Sequence, residues 1–131
     1  FKEIDFLKQN IQKREKKKRK LHDFFAKKDF QNIFECFDMP EGSVCWRYSL
    51  SVNGNFRDFI LKGLLQKKIK VSSWFPSVDQ FFELKRPRKQ TAKTSDLIGD
   101  TIINFWVNDE ADDDYFKKLT TETESLVRKI K

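Results

Sequence analysis

Two short cationic blocks hold the residues of this chain best equipped for chemistry. Residues 13–20 read KREKKKRK, seven cations against one Glu, and residues 85–93 read KRPRKQTAK, five cations and no acid. The blocks carry +6 and +5, while the whole chain carries +7, so everything outside them sums to −4. Cationic surfaces on a near-neutral to acidic body raise local anion affinity and association rates, which points to phosphate backbones or acidic protein surfaces. On this reading Lys13, Arg14, Lys16, Lys17, Lys18, Arg19 and Lys20, with Lys85, Arg86, Arg88, Lys89 and Lys93, contact phosphates or carboxylates. Such contacts give affinity with little sequence specificity. Trp74, Phe75, Phe81 and Phe82 flank the second block, where aromatic rings can stack on bases. With fourteen Phe in the chain, most such rings are expected in a core.

Other constellations are thin. His22, Cys36 and Cys45 cannot supply the four side-chain ligands of an ordinary zinc site, and two Cys are too few for a disulfide scaffold. Both thiols are expected reduced and partly buried. Four unclustered Gly leave no phosphate-cradling loop, and no Ser-His-acid set can be placed. The acidic run Asp109–Asp114 lacks the alternate spacing and the glycine of a calcium loop, and suits a helix N-terminus. No cofactor and no metal is expected. The order Asp58, then Glu83-Leu84-Lys85, then Gln90 resembles the PD-(D/E)xK nuclease signature. That resemblance implies two carboxylates holding Mg²⁺ and a Lys that positions water. Asp58 is not preceded by Pro, however, and the expected meander lacks a crossover helix.

The elements that must position these residues follow from periodicity. Residues 1–27 read as a helix, because Ile4, Leu7, Ile11, Arg14, Lys18, Leu21 and Phe25 fall on alternating three- and four-residue steps. The seam is apolar at both ends and cationic in the middle. Beyond the turn Met39-Pro40-Glu41-Gly42, the residues Val44, Trp46, Tyr48, Leu50 and Val52 alternate strictly with smaller or polar ones, which predicts a strand. Asn53-Gly54 then predicts a tight hairpin in which Tyr48 faces Phe59 and Trp46 faces Leu61. The same arithmetic across the first turn sets Cys36 opposite Cys45. Strands are expected again over residues 68–75, 79–85 and 98–107, with a basic loop at 86–96. Asn108 or Asp109 would cap a final helix whose stripe is Tyr115, Phe116, Leu119, Leu126, Val127 and Ile130.

The expected fold is therefore α+β, an antiparallel meander of five to six strands. A long N-terminal helix (1–27) precedes it, and a C-terminal amphipathic helix packs on the sheet, with residues 28–131 as one domain. With Phe1 at its start the chain is expected to be an excised fragment, and no apolar run approaches the roughly 18 residues of a membrane span. The function expected is a non-catalytic binding module, intracellular and open to a nuclear setting, whose partner is nucleic acid or chromatin. The alternative is a protein-interaction or assembly domain that docks an acidic protein or self-associates as the N-terminal helix continues a coiled coil. A Mg²⁺-dependent nuclease is a third reading.

Overall fold

The computed structural model describes residues 2–40, 42–74 and 93–131. In chain order these form α1 (Lys2–Phe25), a 3₁₀ turn (Lys28–Phe30), β1 (Phe34–Cys36), β2 (Arg47–Val52), α2 (Gly54–Gln66), β3 (Val71–Ser72), α3 (Lys93–Thr101), β4 (Ile102–Trp106) and α4 (Asp113–Arg128). The strands make one antiparallel sheet in the order β1-β2-β4-β3. The α+β class fits, but the meander of five to six strands is overturned. Among the described residues there are four strands, and helices interrupt the sequential pairing. The span expected as a strand over 79–85, and most of the basic loop at 86–96, lie outside the described residues.

Each departure has a local cause. Asn53-Gly54 opens a helix instead of a hairpin. The Asn53 side chain accepts from the Asn55 backbone N–H at 3.1 Å, so the dipeptide acts as an N-cap. Ile60 and Leu64 follow at four-residue spacing, both with no exposed surface, whereas Phe59, expected across from Tyr48, is exposed. β2 pairs instead with β4, where Tyr48 opposes Phe105. On its other side Cys36 opposes Leu50, so the expected Cys36–Cys45 pairing is also corrected, and both thiols are free. The expected strand at 98–107 begins only at Ile102. Residues before it continue α3, whose last carbonyls, Gly99 O and Asp100 O, accept from the Arg57 guanidinium at 3.1 and 2.8 Å. At the far end of the sequence, α4 is capped by Asp112, whose carboxylate accepts from the Tyr115 N–H at 2.8 Å.

One face of the sheet carries the core. Phe34, Tyr48, Leu50, Val52, Val71, Ile103 and Phe105 meet Leu21, Phe24 and Phe25 of α1, Ile60 and Leu64 of α2, and Phe116, Leu119, Leu126 and Val127 of α4. Two backbone positions at α2 show how tightly this is set. A methyl group on Gly63 would lie 2.6 Å from Leu126 Cδ2. Five residues later, Lys68 takes a positive φ of 56°, and the Lys68 and Ile69 N–H groups bond back to Leu65 O and Leu64 O at 2.8 and 3.0 Å. This is a Schellman closure with lysine where glycine usually sits. The two sites respond to substitution with opposite signs. Gly63→Ala lowers stability by about 1–3 kcal/mol through overpacking, part of it recovered by a smaller residue at 126. Lys68→Gly raises stability by roughly 0.5–1 kcal/mol by relieving the left-handed backbone. Urea denaturation midpoints measure both.

Candidate functional site

Three of the cations at the centre of α1, Arg14, Lys17 and Lys20, bond to other elements of the chain. Arg14 donates through Nε to Asn10 Oδ1 at 2.7 Å and through Nη1 to Trp46 O at 3.3 Å. Lys17 Nζ donates to Asn108 O at 2.6 Å. Lys18 and Arg19 pair with Glu15 at 2.6 and 3.7 Å. Lys20 pairs with Asp113 at 2.7 Å and stands 4.8 Å from the Phe116 ring centroid. The Lys20 ammonium holds the Asp113 carboxyl below its ordinary range. Lys13 and Lys16 line the same cleft, about 290 Å³, between α1 and the start of α4. Of the second block, Lys85, Arg86, Arg88 and Lys89 lie outside the described residues, and Lys93 is the first residue of α3. The structure thus gathers the first block along one helix and ties Arg14, Lys17 and Lys20 of it to other elements.

Of the nuclease-like residues only Asp58 lies within the described residues. Asp58 sits on α2, pairs with Arg57 at 3.1 Å and is exposed, while Glu83, Lys85 and Gln90 lie outside the described residues. Among the described residues no group of three or more His, Cys, Asp or Glu side chains could hold a metal ion. The coiled-coil seam is divided. Leu21 and Phe25 are in the core, whereas Ile4 and Leu7 are 50% and 59% exposed, so no continuous stripe runs along α1.

The second face of the sheet holds a constellation that the sequence pattern did not disclose. By register this face carries Arg47, Ser49 and Ser51 of β2, Ile102, Asn104 and Trp106 of β4, and Ser72 of β3. Asn104 is buried and fully engaged. Its Oδ1 accepts from Ser49 Oγ at 2.7 Å, and its Nδ2 donates to Ser72 O and Trp74 O at 3.2 Å each. Beside it, the Arg47 guanidinium carbon lies 3.8 Å from the Trp106 ring centroid, 4.6 Å from that of Trp46 and 5.7 Å from that of Trp74. These are all three tryptophans of the chain. Arg47 Nη1 donates to Ser72 Oγ at 2.8 Å. Positions 46, 74 and 106 converge only through the β2-β4-β3 order, which no spacing rule reveals.

No family model matches the sequence, and no curated protein matches it. Solved structures do match. The aminotransferase from Psychrobacter cryohalolentis has a TM-score of 0.78 at 14% identity, covering 98% of this chain and 37% of that one. The aminotransferase TlmJ from Streptoalloteichus hindustanus has a TM-score of 0.74 at 10% identity, covering 92% of this chain and 32% of that one. A DegT DnrJ EryC1 StrS aminotransferase from Brucella abortus has a TM-score of 0.68 at 12% identity, covering 98% of this chain and 33% of that one. The fold is shared with aminotransferases. The chain spans about a third of the length of those proteins. This likeness overturns the expectation of a nucleic-acid-binding or chromatin module and of its assembly alternative. The bonds of Arg14, Lys17 and Lys20 to other elements agree with that correction. Among the described residues no helix is long and apolar enough to cross a membrane.

Two tyrosines tie the helices to the sheet. Tyr115 of α4 donates to Lys70 O at 2.9 Å and accepts from the Trp106 N–H at 3.4 Å. Burial pushes its hydroxyl pKa up to about 12. Tyr48 lies with its hydroxyl 3.3 Å from His22 Nδ1, and burial, then its hydrogen bond with Cys36, push its pKa up. Burial likewise raises the Cys45 thiol. For the tyrosines, the stabilising difference is fully present below the ordinary value of 10.0 and is lost as pH rises through about 12 for Tyr115. Denaturation midpoints should therefore fall across this window while tyrosinate absorbance rises. Tyr115→Phe, which cannot ionise, should show a shallower fall.

Proposed function

We propose that this chain is one structural unit of an aminotransferase-type enzyme, a sheet-and-helix piece that docks on a larger body to complete the catalyst. The observation that carries this reading is the coverage. Three aminotransferases match 92–98% of the chain, while the chain accounts for only 32–37% of each of them. The remaining two-thirds of such a fold must rest against something here. The first half of α1 offers the surface, since Ile4, Phe6 and Leu7 are 50%, 69% and 59% exposed, apolar residues projecting beyond the core. Among the described residues no group of His, Cys, Asp or Glu side chains could hold a metal ion.

Amino transfer from amino acids to a keto acid would be measured for the 131-residue chain and for the longest polypeptide translated in frame with it. The expected outcome is transfer by the longer product and none by the chain alone. Transfer by the chain alone, or a longer product inactive with every donor and acceptor tried, would sink the proposal. A paired change, Phe6→Ser with Leu7→Ser, should lower the activity of the longer product at least several-fold. The same change should leave the melting temperature of the 131-residue chain nearly unaltered, because both side chains stand clear of its core.

A further inference from the structure

We infer that Arg47 and the three tryptophans around it form a binding site for a small organic carboxylate whose apolar or aromatic body lies against Trp46 and Trp74. The inference goes beyond the proposed role in an aminotransferase-type enzyme and rests on separate observations, since every group involved lies within the described residues of this chain.

The guanidinium stands over an indole, and among the described residues its N–H edge has one hydrogen-bond partner. At 3.8 Å from the Trp106 centroid, the Arg47 guanidinium carbon is in van der Waals contact over the indole, where cation–π attraction holds it. Arginine has five N–H donors lying in its plane, and one bond is accounted for, from Nη1 to Ser72 Oγ. Among the described residues no Asp or Glu pairs with Arg47, although most of the other arginines have carboxylate or carbonyl partners. A planar carboxylate accepts two parallel hydrogen bonds from such a fork, an arrangement shorter and stronger than a neutral pair.

The flanking rings select the rest of the ligand. Trp46 and Trp74 are 58% and 62% exposed, large apolar faces left in water on either side of a charged centre. An empty cage of indoles would favour a cation. Here Arg47 already fills the centre and repels one, so the ligand must be an anion. A bare inorganic anion would gain the charge interaction but leave both rings wet. A carboxylate with an aromatic or aliphatic body covers them, at roughly 25 cal/mol for each Å² of apolar surface removed from water. Preorganisation supports the site. Asn104 pins Ser72 and Trp74 through their carbonyls, and the Trp106 backbone N–H is fixed by Tyr115, so two of the three rings sit on braced backbone before any ligand arrives.

Titration of the 131-residue chain with benzoate, acetate, inorganic phosphate and tetramethylammonium would decide the matter, read by tryptophan fluorescence and by the indole N–H resonances. Benzoate should give saturable quenching and move all three indole signals, with acetate and phosphate weaker and tetramethylammonium without effect. Arg47→Gln should weaken benzoate binding about tenfold or more, and Arg47→Lys, which keeps the charge but loses the fork, by an intermediate factor. Absence of saturation with benzoate, equal binding by Arg47→Gln, or preference for tetramethylammonium would each overturn the assignment. If Arg47→Gln fails to fold, the wild-type resonances still decide, because benzoate leaving the three indole signals unmoved refutes the site.

Discussion

The structure is organised around one ring. Phe25, at the last turn of α1, is 1% exposed and has its centroid 5.0 Å from Phe24, 4.9 Å from Phe34 of β1, 4.9 Å from Phe105 of β4 and 6.4 Å from Tyr48 of β2. It joins the helix to three of the four strands at once. Aromatic pairs of this kind add about 0.5–1.5 kcal/mol each beyond area burial, so the sheet is locked to the helix where the rings cluster. Because this anchor lies at one end of a 24-residue helix, the other end extends past the core formed by the described residues. The exposed Ile4, Phe6 and Leu7 are a geometric consequence of that placement.

Between anchor and free end, α1 is tied to the body by three of its cations, Arg14, Lys17 and Lys20. A lysine or arginine stem can lie along apolar surface while its charge reaches a polar acceptor at the rim. Lys20 does this over Phe116 to reach Asp113, and Lys17 reaches the carbonyl of Asn108 in the turn before α4. The acidic residues that open α4 thus serve two partners of one sign, the helix dipole and the α1 cations. The exposed pair with Asp113 contributes little to stability in water. Its effect is directional, since it fixes which face of α1 meets α4.

Local periodicity made the terminal helices legible, and local ambiguity hid the rest. The apolar stripe and acidic first turn of α4 and the heptad-like steps of α1 are repeated signals over many residues, and helices occur at both places. Asn53-Gly54, by contrast, is a two-residue signal that suits a tight turn or an N-cap. Only the following Phe56, Ile60 and Leu64 separate the two, and their spacing counts for more than the dipeptide. The alternation along Val44–Val52 holds only within β2. Tyr48, Leu50 and Val52 are buried, but Trp46 falls on the outside while Cys45 is inside, because the chain leaves the strand at Arg47. The sheet order could not be read at all, since the pairing of β4 between β2 and β3 is a tertiary choice that burial decides.

That tertiary choice is also what creates the second face. A strand of mixed character such as Arg47–Val52 needs neighbours on both sides, and β4 can be one only if β3 then moves outward. Asn104, fully buried in the middle of β4, would be costly there without partners. Ser49 from one neighbour and the carbonyls of Ser72 and Trp74 from the other satisfy it. The same three bonds therefore hold the sheet in its order and fix the backbone that carries Trp74 towards Arg47. Substituting Asn104 with an apolar residue of similar size would keep the volume at that position yet release Trp74. The polar residue in the sheet is thus a determinant of where the aromatic rings stand, and a chain only 10–14% identical to the aminotransferases whose fold it shares can still set a surface of its own.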